Sequence, residues 1–145
     1  MSARNFFTKE QQQSIQDAIA AAELDTSGEI RVHIDDKCKE DVLFQAAMKF
    51  KELKMDQTKL SNGVLFYLAV SDQLFAIIGD KGINEKVEPG FWDNIKETML
   101  GYFKQGQFTE GLNKGIQMAG EKLKAHFPLA SDDANELSNE VTYDK

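Results

Sequence analysis

Along the first half of the chain, segments with apolar residues at helical spacing alternate with segments whose apolar pattern is typical of strands. Thr8 followed by Gln11 is a capping-box pattern, and apolar residues at helical spacing then continue to about Glu23. Apolar and polar residues alternate strictly over residues 29–34, which predicts a strand with one face in the core. Asp41 can cap a second helix. The predicted apolar stripe of that helix comprises Leu43, Ala47, Phe50 and Leu53.

Two apolar runs separated by a short turn predict a β-hairpin. The turn signal at residues 62–63 precedes a continuous apolar run over residues 64–70, and a second run covers residues 74–78. The intervening turn is too short for a parallel crossover, so these two strands must be antiparallel. The helix between the first and second strands favours a right-handed parallel β-α-β unit. The sheet is therefore predicted to be mixed.

The second half of the chain is predicted to be largely helical. A third helix starts at about Phe91, Gly106 interrupts it, Thr109 caps a fourth, and Pro128 ends that fourth helix. Residues 141–143 favour β structure, so they form either an edge strand or a frayed acidic terminus. Together these elements predict an α/β fold with a mixed central sheet of three to four strands flanked by about four helices.

Composition narrows the classes of function open to such a domain. The 145 residues carry 17 basic and 24 acidic side chains, a net charge of −7, which argues against binding of nucleic acid or of an anionic membrane. This length fits a single domain over residues 1–145. Within it, residues 129–145 hold five acids against one lysine and form an acidic tail.

Cysteine and histidine are too few for a disulfide framework or a multi-ligand zinc site. The chain has a single cysteine, Cys38, and two histidines, His33 and His126. No apolar leader precedes the first helix, and the longest apolar run, residues 64–70, is far short of the roughly 20 residues of a membrane span. We therefore expect a soluble, cytoplasmic and monomeric protein.

Four short motifs occur in the order and spacing of the TPM domain family. They are residues 26–32 (TSGEIRV), 62–65 (NGVL), 78–83 (IGDKGI) and 106–112 (GQFTEGL). The sequence resembles this family from about Phe6 to Phe127, and the resemblance implies an α/β/α sandwich. The family includes thylakoid-lumen acid-phosphatase-like proteins linked to photosystem II repair and bacterial membrane-anchored proteins. Because no signal peptide or membrane span is visible, the chain resembles the short stand-alone bacterial members, which share the acidic pattern of residues 132–137.

The predicted topology brings oxygen-bearing side chains to one edge of the sheet. If the first two strands are parallel and the third is antiparallel to the second, Asp80 lies at the same edge as Glu29 and Asn62. Ca²⁺ takes about six to eight oxygen ligands from carboxylates, amide groups and backbone carbonyls. Gly79 and Gly82 would let backbone carbonyls turn inward. The sequence therefore predicts a divalent-cation site here, unless Asp80 only caps its glycine-rich turn.

A second group of hard ligands lies in the acidic tail. It comprises Asp132, Asp133, Asn135 and Glu136. The segment lacks the glycine and the distal glutamate of an EF-hand loop. If the tail crosses the Asp80 loop, these four residues would join Asp80 and Glu29 as metal ligands; otherwise the tail is a solvated acidic terminus. Ca²⁺ is the favoured ion, with Mg²⁺ and Mn²⁺ as alternatives.

A rival acidic cluster is predicted at the opposite end of the sheet. It comprises Asp35, Asp36, Asp41 and Asp72. The carboxyl ends of parallel strands are a common binding crevice, although ordinary turn and cap chemistry would also explain these residues. Nearby, His33 lies on the polar face of the first strand, where a satisfied and partly buried side chain is the simpler interpretation.

Motifs for nucleophilic catalysis are absent from the sequence. Cys38 is not followed by an arginine six positions later, because Phe44 stands there, and no P-loop or G-x-S-x-G elbow occurs. Phe91 and Trp92 open the third helix and either anchor the core or wall a pocket near Asp80. The acid-rich loops are therefore the main candidates for a functional site.

These observations favour a metal-responsive binding or regulatory module. Binding of Ca²⁺ would order the acid-rich loops and expose or hide a surface for a protein partner. The alternative, which the family resemblance implies, is a metal-dependent acid-phosphatase-like hydrolase in which Asp80 and Glu29 help to activate water. A scaffold that binds a protein partner through its hairpin or edge strand is a third hypothesis.

Overall fold

A four-stranded mixed sheet forms the centre of the part of the chain that the computed structural model describes, residues 3–128 and 141–143 (the backbone alone at residue 4). Its strands are β1 (Glu29–Asp35), β2 (Gly63–Ala69), β3 (Leu74–Gly79) and β4 (Thr142–Tyr143), in the spatial order β3-β2-β1-β4. Strand β1 pairs in parallel with β2 and with β4, whereas β2 and β3 form an antiparallel hairpin. The predicted mixed sheet is confirmed, and within residues 141–143 the pair Thr142–Tyr143 forms an edge strand.

Helices cover both faces of this sheet. On one face lie α1 (Ala3–Phe6), α2 (Lys9–Glu23), α5 (Phe91–Phe103) and α6 (Phe108–His126). On the other face lie α3 (Val42–Glu52) and a 3₁₀ turn (Met55–Gln57), while α4 (Lys81–Asn84) is a single turn that follows β3. The predicted α/β/α sandwich is thereby confirmed. None of the helices in the described residues is sufficiently long and apolar to span a membrane.

The sheet has two different faces along β1. Ile30, Val32 and Ile34 belong to the larger core, which the helices of the first face complete. Glu29, His33 and Asp35 point to the opposite face and are also almost fully buried, at 2%, 2% and 3% exposure. The polar side of this alternating strand is therefore an interior surface that must be satisfied by hydrogen bonds.

The N-caps predicted for two helices are confirmed. Thr8 and Gln11 form the reciprocal capping box of α2, because the Gln11 backbone N–H donates to Thr8 Oγ1 (3.1 Å) and the Thr8 N–H donates to Gln11 Oε1 (2.8 Å). Asp41 caps α3, and its Oδ2 accepts from the backbone N–H groups of Leu43 (3.2 Å) and Phe44 (3.3 Å). These bonds satisfy donors that a helix start leaves unpaired.

The predicted apolar stripe of α3 is partly wrong. Leu43 is 53% exposed and Ala47 is exposed as well, whereas Ala46 and Phe50 are buried against the sheet. Phe50 belongs to both possible stripes, so helical periodicity alone could not choose between them. The position of the β2–β3 hairpin under the helix makes that choice.

The predicted cap of α6 is also wrong. The helix begins at Phe108 with Gln107 as its N-cap, and Thr109 lies inside the first turn. The ring of Phe108 packs 5.3 Å from the ring of Phe6 and 5.5 Å from that of Phe103, measured between centroids. The helix thus starts two residues earlier than capping by Thr109 would place it, and the aromatic packing of Phe108 accompanies this start.

Candidate functional site

The amino ends of β1 and β2 meet the carboxyl end of β3 at one edge of the sheet, called here the Asp80 edge (Glu29, Gly63 and Asp80). Glu29 pairs in register with Gly63, and the Asp80 N–H donates to the Gly63 carbonyl oxygen (2.9 Å). Residues paired in register share a face of the sheet, so the side chains of Glu29 and Asp80 flank Gly63 on one face. The strand spacing places their Cα atoms about 10 Å apart.

Only one of the two carboxylate oxygens of Asp80 has a hydrogen-bond partner among the described residues. Its Oδ1 accepts a hydrogen bond from the Lys81 backbone N–H (2.9 Å), as the N-cap of α4. Its Oδ2 is buried and has no hydrogen-bond partner among the residues that the structure describes. A buried carboxylate oxygen without a partner is costly, so capping alone does not account for this side chain.

A backbone carbonyl lies over Gly63, between the two flanking carboxylates. A Cβ atom placed on Gly63 would stand 3.0 Å from the carbonyl oxygen of Met55. The absence of a side chain at Gly63 thus leaves room for this carbonyl in the gap between Glu29 and Asp80. Two residues with carboxylate side chains and one backbone carbonyl, all of them sources of hard oxygen donors, are thus neighbours at this edge.

Glu23, which was not singled out from the sequence, approaches Glu29 from the end of α2. Its Oε2 accepts a hydrogen bond from the Ile30 backbone N–H (2.7 Å). Burial, and to a lesser extent the negative charge of Glu29, raises the pKa of Glu23 from 4.5 to about 8, although the Ile30 N–H acts in the opposite direction. Additional negative charge is therefore unfavourable at this end of β1.

Other residues predicted near Asp80 have structural partners. Asn62 is buried, with its Nδ2 donating to Ser27 Oγ (3.3 Å) and its backbone N–H donating to Thr58 Oγ1 (3.2 Å). Trp92 lies close to the edge, because a Cβ on Gly79 would stand 2.5 Å from its Cζ2 atom. The Trp92 indole N–H donates to Asn84 Oδ1 (2.7 Å), which ties α5 to α4.

The acidic-tail ligands Asp132, Asp133, Asn135 and Glu136 lie outside the described residues. Within residues 3–128 and 141–143, no group of three or more His, Cys, Asp or Glu side chains is arranged to hold a metal ion. The described carboxylates of the Asp80 edge therefore form a partial donor set.

The carboxylates of the rival cluster, at the opposite end of the sheet, make separate hydrogen bonds. Asp36 Oδ1 accepts from the Ala3 backbone N–H, and Asp72 Oδ2 accepts from the Cys38 N–H (2.7 Å). Asp41 caps α3. Each of these carboxylates accepts from a backbone N–H: Asp41 does so as a helix cap, whereas Asp36 and Asp72 do so across the fold.

Asp35 belongs to a buried polar network with His33. His33 Nε2 lies 2.8 Å from Asp35 Oδ1, and the Tyr67 hydroxyl donates to Asp35 Oδ2 (2.5 Å). On its other side, His33 Nδ1 lies 2.8 Å from Thr142 Oγ1 of β4. Burial, followed by the bond to Asp35, raises the pKa of Tyr67 well above its ordinary value. This network joins three strands and is enclosed by them, which favours a structural role for His33.

A mixed sheet between two helical layers, with a carboxylate-rich edge, defines a small α/β domain. The chain belongs to the TPM domain family, whose model matches residues 1–122. It is similar to the NMR structure of the BA42 protein from Bizionia argentinensis, with 48% identity, a TM-score of 0.89 and coverage of 97% of both chains.

Two more distant structures share the fold. The N-terminal domain of the cg2496 protein from Corynebacterium glutamicum has 12% identity and a TM-score of 0.67, over 90% of this chain and 82% of that one. The N-terminal domain of a protein from P. gingivalis has 15% identity and a TM-score of 0.70, over 87% and 83%. Comparison with the curated proteins gives no match.

Proposed function

We propose that this TPM domain is a metal-responsive binding module that takes up a divalent cation, Ca²⁺ in preference, at the Asp80 edge. The observation that carries the proposal is the buried Oδ2 atom of Asp80, which has no hydrogen-bond partner among the described residues. A cation bound there would supply the missing counter-charge and offset the cost of burying this oxygen.

The surrounding donors suit Ca²⁺ better than a softer metal. Glu29 flanks the same gap as Asp80, and the Met55 carbonyl oxygen lies over Gly63 between them. Carboxylates and backbone carbonyls are the usual Ca²⁺ ligands, at about 2.3–2.6 Å, and flexible coordination tolerates an irregular donor set. Three donors are fewer than Ca²⁺ requires, so water and the acidic tail would complete the shell. The tail ligands we propose are Asp132, Asp133, Asn135 and Glu136.

The charges around the gap also favour a cation. Burial, and to a lesser extent the charge of Glu29, raises the pKa of Glu23 to about 8, and a cation bound nearby would lower this pKa again by favouring the charged carboxylate. A bound Ca²⁺ would bring the tail against the Asp80 edge, and this ordering would change the surface available to a protein partner.

Calorimetric titration of metal-stripped protein with Ca²⁺ and with Mg²⁺ tests the proposal, and the fluorescence of the single tryptophan, Trp92, follows binding beside Asp80. We expect saturable Ca²⁺ binding that weakens about tenfold or more in Asp80→Asn, because the lost charge contact is a strong one. Asparagine retains the helix cap, so this variant should fold.

The matched control is Asp72→Asn, at the opposite end of the sheet, which should bind Ca²⁺ as the wild type does. Absence of heat and of any change in the melting temperature at millimolar Ca²⁺ would contradict the proposal, as would unchanged binding by Asp80→Asn. A phosphate-ester assay with and without the bound cation examines the hydrolase alternative. Turnover that Asp80→Asn abolishes would favour that alternative over a binding module.

A further inference from the structure

An apolar pocket lies at the opposite end of the sheet from the Asp80 edge. It has a volume of about 440 Å³ and opens between the tip of the β2–β3 hairpin and the corner that joins α5 to α6. This volume falls within the range of about 300–1,000 Å³ typical of small-molecule sites. Its position beside the carboxyl end of β2 is a common place for ligands in α/β sheets.

Four phenylalanine rings give the pocket a fixed apolar wall. Phe75 and Phe103 meet edge to face, with centroids 5.1 Å apart, and Phe6 and Phe108 do the same at 5.3 Å. Phe103 also contacts Phe108 at 5.5 Å, so the two pairs form one continuous set. Rings held in such pairs have little freedom to collapse into the pocket, which is therefore preorganised.

The rim adds exposed apolar surface around this wall. Leu74 of the hairpin is 43% exposed, and Leu100 of α5 is 41% exposed. Large apolar side chains that remain exposed next to an apolar pocket are typical of a binding surface rather than of scattered surface residues.

The lining contains one charged side chain, Lys104, and no acidic side chain. In the neighbouring depression Lys96 is accompanied by Asp93 and Glu97, so positive charge is not in excess there. A local positive charge at an apolar pocket is notable in a chain of net charge −7. It complements a ligand whose apolar body ends in an anion.

Gln73 lines the same pocket from a strained position. Its backbone φ angle is +56°, in the left-handed region that favours glycine or asparagine at this point of a hairpin loop. Glycine at this position would remove the strain and also the side-chain amide that Gln73 presents to the pocket.

We propose that the pocket binds a small apolar monocarboxylate. Its hydrocarbon or aromatic body would lie against the phenylalanine wall, and its carboxylate would meet the Lys104 ammonium and the Gln73 side-chain amide at the rim. This site is separate from the Asp80 edge and does not depend on metal binding.

A titration followed by ¹⁵N–¹H NMR spectra tests the proposal with two probes, decanoate for aliphatic ligands and 4-phenylbutyrate for aromatic ones. We expect saturable shifts at amides of the lining residues with one or both probes, and affinity about fivefold weaker for decanol than for decanoate. Lys104→Gln should weaken carboxylate binding about fivefold. The exposed Lys59→Gln, near the amino end of β2, is the matched control and should leave it unchanged.

The variant Gln73→Gly distinguishes a role of Gln73 in binding from a role in stability alone. It should raise the melting temperature by relieving strain and at the same time weaken carboxylate binding, which a purely structural role for Gln73 would not do. Absence of saturable shifts at the lining residues up to millimolar probe would overturn the proposal, as would equal binding of decanol and decanoate. A dimer in sedimentation that Leu100→Lys converts to a monomer would instead assign the pocket to a second copy of the chain.

Discussion

At the scale of single residues, Glu23 couples the stability of the domain to pH. Its folded-state pKa of about 8 lies above the ordinary value of 4.5, so between these values the folded form holds a proton that the unfolded form has lost. The unfolded state therefore binds fewer protons in this window, and stability decreases as the pH rises from about 5 to 8. The decrease is at most about 1.4 kcal/mol per pH unit, and partial exposure of Glu23 reduces it further.

Glu23→Gln is expected to flatten this dependence, because glutamine can accept the Ile30 hydrogen bond and does not titrate. Urea unfolding of both proteins from pH 5 to pH 8, with a chelator present, measures the effect. Glu97→Gln, at an exposed position on α5, serves as the control and should keep the wild-type slope. Parallel stability curves for wild type and Glu23→Gln would show that Glu23 does not titrate in this window.

Gly82 is a second residue whose identity is dictated by its surroundings. A Cβ there would clash with the carbonyl oxygen of Leu60 and stand 2.5 Å from that of Ser61, both backbone atoms that cannot rotate away. Gly82→Ala should therefore destabilise the domain by about 2 kcal/mol or more. Gly101→Ala is the matched control, because no atom lies within 4 Å of its Cβ and alanine favours the helix by about 0.5–1 kcal/mol. Thermal unfolding of the two variants should shift in opposite directions, and equal shifts would refute the packing argument.

At the scale of elements, hydrophobic patterning predicted the positions of the strands better than the burial of their polar side chains. The alternation over residues 29–34 located β1, and the short loop between the two apolar runs required the antiparallel hairpin. Patterning could not show that His33 and Asp35 are buried, because their partners Tyr67 and Thr142 come from distant parts of the chain. A polar side chain that faces a satisfied network looks the same in sequence as one that faces water.

The sequence also predicted only part of the candidate site. Strand order alone was enough to place Asp80 and Glu29 at one edge, because residues at the ends of neighbouring strands must meet. The approach of Glu23 and of the Met55 carbonyl was not predictable, because it depends on how α2 and the 3₁₀ turn pack on the sheet. The phenylalanine wall was missed for the same reason, since its members come from three separate segments of the chain.

The side chain of Thr142 helps to attach the short strand β4 to β1, in addition to the backbone pairing. It has two residues, and the Thr142 hydroxyl lies 2.8 Å from His33 Nδ1 and 3.2 Å from the Val32 carbonyl oxygen. Thr142→Val keeps the shape and the β propensity but removes both bonds, so we expect a loss of about 1 kcal/mol and faster amide exchange at residues 142–143. Thr98→Val removes a hydroxyl bonded only within α5 and should change stability by less than about 0.5 kcal/mol. Unchanged exchange in Thr142→Val would show that backbone pairing alone holds β4.

At the scale of the whole molecule, the two ends of the sheet differ in chemistry. The Asp80 edge gathers carboxylates and a carbonyl, whereas the end of the hairpin presents an apolar pocket with one lysine. The length of β2, seven residues, separates them by about 20 Å. The chain has a net charge of −7, and the Asp80 edge, where some of its acidic residues lie, is the site at which we propose cation binding.

The most direct test of cation binding at this edge is a ¹⁵N–¹H NMR titration of metal-stripped protein with Ca²⁺. We predict saturable shifts at the amides of Glu29, Gly63 and Asp80 and at the indole of Trp92, with the amides of Asp36 and Asp72 unmoved. Shifts confined to Asp36 and Asp72, or no saturable shift at millimolar Ca²⁺, would contradict the assignment of a divalent-cation site to the Asp80 edge.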